Sequence, residues 1–261
     1  PPALDAKDDP LDPEMDNILK LWERQSRSLK MLDVMIYRRD VDPRPALGGE
    51  QHYQGTAKFE SPNKAYIEFN EVKLDKNKKP IVNPKTRRRE TAPYEWIKCT
   101  GTEVWQYKFD TKQIFIYPLK KEEQERAIEE GPLPFLFNMK ADEARNRYRM
   151  TLVPEKKGAK VHVIKVIPRL AIDREDFSEA LIELETQYFL PTRIILFAPD
   201  RKGTREYFLS HHRANLPIDP SYFKGMVFKE KEWKVVRNPE GDPGLKGKAA
   251  SGSRSVAPRR R

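Results

Sequence analysis

From about residue 53 to residue 236 the apolar side chains recur at every second position, in short runs separated by turn residues. A period of two sends successive side chains to opposite faces of a strand, so the pattern predicts a sheet with one face turned to a core. The clearest runs fall at 64–69, 94–100, 104–109, 113–117, 148–153, 161–167, 181–189, 193–197 and 205–210. Ala65, Ile67 and Phe69 share one side of the first run, and Trp105, Tyr107 and Phe109 share one side of the third. Segments 100–102, 109–112 and 200–203 are polar connections of the length that joins neighbouring antiparallel strands. The body is therefore predicted to be α+β and mainly antiparallel β.

Ahead of the strands, residues 1–12 are acidic and punctuated by proline, and they bury too little apolar surface to offset the entropy of ordering. Asp12 followed by Pro13 is a helix start, with Asp as cap, Pro at the first helical position, and Glu14 and Asp16 at the positive end of the dipole. The helix that follows is predicted to carry one apolar stripe through Ile18, Leu21, Trp22, Leu29, Leu32 and Ile36. Segment 71–90 interrupts the strands with eight basic and three acidic residues, net +5, and reads as a long exposed hairpin or loop. The last residues, 238–261, are rich in Gly, Pro and Ser, carry net +4, and read as a disordered tail. The division expected is a leader at 1–12, one domain at 13–237 and the tail.

These two basic segments hold most of the chain's net charge of +10. Arg87-Arg88-Arg89 and Arg259-Arg260-Arg261 stand without a helix-turn-helix, zinc-finger or RNP pattern, so no nucleic-acid partner is expected and attraction to an anionic surface serves equally well. Cys99 is the only cysteine, which excludes an intrachain disulfide or a cysteine-based metal cage. Neither a nucleophile elbow, a P-loop, a dinucleotide fingerprint nor a paired-histidine zinc motif occurs. His211 and His212 would point to opposite faces of a strand, and Glu122, Glu123, Glu125, Glu129 and Glu130 read as a solvated helix face. Glu183 and Glu185 alternate with Ile182 and Leu184 as the wet side of a strand. No catalytic residue, metal or cofactor is expected.

Between residues 120 and 146, helical composition flanks a very apolar connector in which Leu133, Phe135, Leu136, Phe137 and Met139 fall within seven positions. A strongly curved antiparallel sheet has a concave face too wide for its own side chains to fill. Helices and this connector could fill it, and so could a bound acyl chain, at about 0.8 kcal/mol per buried CH₂. For any one of these residues, plain core is the competing explanation.

The runs SPNKAYIEF at 61–69, GTEVWQYKFDTKQIFIYPL at 101–119 and PLPFLF at 132–137 come in a telling order and spacing. Together with VHVIKVIPR, ALIELETQYFLPTRIILFAPDRKGTREYFL and NLPIDPSYFKG downstream, they resemble the bacterial outer-membrane lipoprotein carrier (LolA-like) family, on a planctomycete-type branch. The resemblance implies an unclosed half β-barrel with an N-terminal helix and lid helices over its concave face, an apolar cavity and a periplasmic location, with the signal peptide removed or absent from this sequence. It places Trp105 and Tyr107 on the strand after the family's Gly and 132–139 in its lid. Carriers of the family have an Arg before the Pro of the first motif, used to latch the lid, where this chain has Ser61.

The expectation is a non-enzymatic binding protein for a lipid or acylated protein. Its cavity walls are expected at Ile67, Phe69, Trp105, Tyr107, Ile114, Ile116, Ile182, Leu184 and Phe208, closed by Leu133, Phe135, Leu136, Phe137 and Met139. An envelope protein or an anionic surface is the further partner expected at the basic loop. The alternative expectation is a sensor or interaction module that reports envelope state without carrying lipid.

Overall fold

A computed structural model describes residues 12–44, 49–124, 135, 140–154, 158–228 and 232–238. Helix α1 (Pro13–Ser28) starts as its sequence requires: the Asp12 carboxylate accepts the Glu14 backbone N–H at 2.8 Å, and Pro13 occupies the first turn. Met15, Ile18, Leu19, Trp22 and Ser26 form its buried face. The expected stripe ran on too far. The helix stops at Ser28, and Leu32 and Ile36 belong instead to strand β1 (Met31–Val41), where with Val34 they make an inward row of period two. Positions 29, 32 and 36 satisfy a helical step by coincidence. What ends the helix comes from far along the chain: Asn215 Oδ1 accepts the Lys30 N–H at 2.7 Å, and its Nδ2 donates to the Ser28 carbonyl at 3.2 Å.

The strands that follow are β2 (Glu50–Glu60), β3 (Lys64–Val72), β4 (Thr91–Cys99), β5 (Glu103–Lys108), β6 (Gln113–Pro118), β7 (Tyr148–Leu152), β8 (Val161–Pro168), β9 (Glu179–Glu185), β10 (Pro191–Phe197), β11 (Thr204–Ala214) and β12 (Lys234–Arg237). Short helical segments α2 (Lys121–Gln124), α3 (Ala141–Arg147) and α4 (Ala171–Arg174) lie between them. All join one sheet in the order β12-β6-β5-β4-β3-β2-β1-β11-β10-β9-β8-β7, and β12 and β7 are its two edges, so the sheet is unclosed. Neighbours are antiparallel except β12, which runs parallel to β6.

The sheet is strongly curved. Phe69 on β3 and Tyr207 on β11 are three strand steps apart, about 14 Å across a flat sheet, yet their ring centroids lie 6.5 Å from each other. Gly55 at the centre of β2 permits the coiling, because a Cβ there would lie 1.6 Å from the Glu68 carbonyl oxygen of β3. Bulges at Asp33/Met35 and Phe69/Asn70 add to the bend. In consequence buried residues from ten of the twelve strands converge with α1 in a single apolar cluster. Within it an aromatic chain ties α1 to the far half of the sheet: Trp22 to Phe135 at 6.5 Å, Phe135 to Tyr148 at 5.3 Å, and Tyr148 to Phe177 at 6.2 Å. Arg145 of α3 binds Asp16 of α1 over the same seam.

Trp22→Ala removes the first ring of that chain and should cost about 3–5 kcal/mol, read as a lowered midpoint in chemical denaturation. A second expectation concerns acid. Asp33 is buried, which alone would raise its pKa, but Lys58 Nζ at 2.8 Å, Arg213 and the Thr56 hydroxyl outweigh burial and hold it below the usual aspartate value. A depressed folded pKa contributes stability above the unfolded value that is lost as pH falls through the folded one. Asp33→Asn should therefore destabilise at pH 7 and flatten the loss of stability below about pH 4, measured by denaturation across pH 2–7.

Candidate functional site

The inward face of the curved sheet is built by strand parity. Ile67 pairs with Ala57 and Ile97, and these residues face α1 together with Phe69, Ile182 and Leu184, all buried in the main cluster. Phe135 is fully buried there against Trp22. Five of the expected wall residues thus share one interior. Leu133, Leu136, Phe137 and Met139 lie outside the described residues.

Five others do not share it. Trp105 stands opposite Lys98 and Ile116, and Tyr107 opposite Trp96 and Ile114, one residue out of step with the Ile67–Ile97 row. Trp105, Tyr107, Ile114 and Ile116 therefore occupy the outer face, in a separate apolar cluster. They cannot line a cavity with Ile67 and Phe69. The ambiguity was physical: β5 is buried on both faces, Val104 inward and Trp105 and Tyr107 outward, so alternation alone could not say which side turns in. Phe208 is also outward, 38% exposed, between Tyr37 and Arg193.

The outer cluster is covered by the chain's own C-terminal segment. Asp219 caps the 3₁₀ turn Pro220–Phe223, setting Tyr222 5.2 Å from the Tyr66 ring and under the Lys58 ammonium at 4.6 Å. Lys98 Nζ donates to the Lys224 carbonyl at 3.2 Å, and the Met226 N–H donates to the Tyr107 hydroxyl oxygen at 2.9 Å. Between them the chain passes so close to Trp105 that a Cβ on Gly225 would lie 2.2 Å from its ring. Phe228 and Trp233 complete the packing on Trp96 and Phe109, and β12 then seals the β6 edge. Burial pushes the Tyr107 pKa up to about 12, with the Met226 N–H opposing it.

Three further features border the interior. Asn63, two residues after Ser61, donates from Nδ2 to the carbonyls of Gly101 at 3.1 Å and Gln124 at 3.0 Å, joining the end of α2 to the β4–β5 turn. The basic segment forms a projecting hairpin with bridges at Leu74–Pro80 and Val82–Arg89, all eight of its Lys and Arg exposed. At the opposite end of β1's inward row stands Arg38, buried against the rings of Tyr53 at 4.0 Å and Phe69 at 4.7 Å. Sequence reading missed Arg38, although its place two residues after Ile36 in an alternating strand was a usable signal.

No protein-family model matches the chain, and no curated protein sequence does. Among solved structures, an uncharacterized conserved protein from Thermus thermophilus is similar at TM-score 0.48 and 10% identity, over 86% of this chain and 99% of the other. A LolA superfamily protein from Nitrosomonas europaea is similar at TM-score 0.35 and 11% identity, over 80% and 96%. The Pseudomonas aeruginosa MucA/MucB complex contains a chain similar at TM-score 0.41 and 13% identity, over 85% and 63%. A LolA superfamily protein is thus among the structures this chain is similar to, as the motifs led one to expect; none of the three bears on the planctomycete-type branch. With each TM-score under 0.5, the fold rests on the strand order and register of this chain itself.

Tyr107→Phe deletes the acceptor for Met226 while leaving the ring. It should speed hydrogen exchange at the Met226 amide and its neighbours, and cost about 1–2 kcal/mol in denaturation.

Proposed function

We propose that the protein is a non-enzymatic, periplasmic binding protein whose inward face shelters a lipid or acylated ligand, in the manner of a lipoprotein carrier. The observation that carries the reading is a mismatch of size. Twelve strands at about 4.8 Å spacing make a sheet roughly 53 Å wide along its curve. Helix α1, with 16 residues, is only about 24 Å long and about 10–12 Å across. One helix of that size and the seven-residue α3 are small against an apolar face that draws on ten strands. Phe135 fills part of that face, and an acyl chain is a complement to the rest. Affinity would come from burying methylenes against Ile67, Phe69, Ile97, Ile182 and Leu184, which are covered in this structure, so a ligand enters and leaves only when that cover moves aside.

The second reading, an envelope sensor or interaction module on the same fold, is favoured by one observation. The hairpin at 73–90 projects eight exposed cations from an otherwise neatly paired sheet, a form suited to contact with an acidic protein or an anionic surface.

Native mass spectrometry and organic extraction of the purified protein should reveal co-purifying lipid. Binding of saturated fatty acids from C10 to C16, by displacement of a fluorescent analogue, should tighten by about 4-fold per CH₂, the equivalent of about 0.8 kcal/mol. Deleting residues 74–89 should leave both results unchanged. A flat chain-length dependence with no extractable lipid, alongside a partner lost on deleting the hairpin, would replace the carrier by the sensor.

A further inference from the structure

Deepening the lipid-shelter reading, on which it rests, we propose that Arg38 is the receptor for the acidic headgroup of the sheltered amphiphile, a carboxylate or a phosphate monoester. Arg38 is only 5% exposed and sits on the inward row of β1, directly after Leu32, Val34 and Ile36. Its guanidinium lies over the rings of Tyr53, Phe69 and Tyr94 at 4.0, 4.7 and 5.8 Å. Such faces hold a cation and fix its plane, but they accept none of its N–H groups in the way an oxygen does.

One of its donors, Nε, is not otherwise used. Five N–H groups in a rigid fork call for acceptors, and a buried guanidinium that lacks them is costly. Arg38 Nε makes no hydrogen bond among the described residues. The one carboxylate in its range is Asp40, with Oδ1 3.1 Å from Nε, outside hydrogen-bonding geometry. That carboxylate is shared. Arg205, its cross-strand partner on β11, donates from Nε to Asp40 Oδ1 at 3.2 Å and also hydrogen-bonds Tyr207. Glu95, opposite Phe69 on β4, is taken by Gln106 Nε2 at 2.7 Å and Lys108 Nζ at 3.5 Å. Arg38 and Arg205 against Asp40 leave one positive charge in excess.

The position suits an amphiphile. Phe69 touches the guanidinium on one side and continues on the other into the row through Ile67 and Ile97. At the opposite end, towards the close of β1, Asp40 and Arg205 are partly exposed. A headgroup held by Arg38 would leave its chain against the apolar row and its remaining oxygens near the rim. An anion with two oxygens in one plane matches the fork, with the short charge-assisted bonds that such pairs form.

The test compares palmitate, hexadecyl phosphate and hexadecanol on the full chain by displacement of a fluorescent fatty alcohol. The wild type should prefer one or both acidic probes over hexadecanol by about 10-fold or more, the value of a charge-assisted hydrogen bond. Which acid is preferred distinguishes the two headgroup chemistries. Arg38→Met keeps the volume and removes the charge; it should reduce the preference to about 2-fold or less while hexadecanol binds as before. The Arg38 ¹⁵Nε signal should shift on adding the preferred acid to the wild type, a readout that does not depend on the variant folding. Equal affinities for acid and alcohol, or an acid preference with an unmoved Nε signal, would overturn the headgroup assignment and leave the apolar shelter standing. Failure of all three probes to bind would overturn both.

Discussion

Curvature is the constraint on which the rest of the molecule depends. A flat sheet of this width could not bring side chains from ten strands into one cluster around a 16-residue helix. The bend lets it, and the bend depends on details that are small in sequence: Gly55, whose missing side chain lets β3 close in, and bulges on either side of it. Once curved, the sheet has an inside and an outside that are chemically different. Inside are Val, Ile, Leu and aromatic rings; outside, over half the sheet, are ion pairs such as Arg193 with Glu183 and Glu206.

The other half of the outside is apolar, and this explains the second architectural device. Trp96, Trp105, Tyr107, Ile114 and Ile116 would expose a large aromatic patch next to the free edge of β6, a combination prone to association. The C-terminal segment covers the patch and β12 pairs the edge. The apolar rings under the strap are thus accounted for by the chain's own packing, and the ligand reading is confined to the inward face.

The inward face is not uniformly apolar. Arg38 places a cation among three aromatic rings with less compensation than a buried guanidinium ordinarily has. Stacking alone gives it a seat without satisfying its donors. An apolar inward face ending in an underpaired cation is the feature on which the proposed acidic amphiphile rests.

Much of this was legible in the residues. The period of two foretold the strands, and the Asp12-Pro13 pair foretold where α1 begins. That Ile67 shares a face with Phe69, and Ile182 with Leu184, followed from alternation, but not which face turns inward, because Tyr66 and Leu181 put apolar surface on the other side of the same strands. Where a strand is apolar on both sides, as β5 is, local sequence gives parity without direction, and Trp105 was assigned inward when it faces out. The end of α1 was hidden for a related reason, since Asn215, which pins it, is 187 residues from Ser28. Local periodicity and capping are written in neighbouring residues, so the chain alone determined that it would be a helix followed by antiparallel strands. Which face closes around the core, what covers the other, and the isolation of Arg38 among rings from three strands depend on contacts between distant segments, and only the folded sheet decided them.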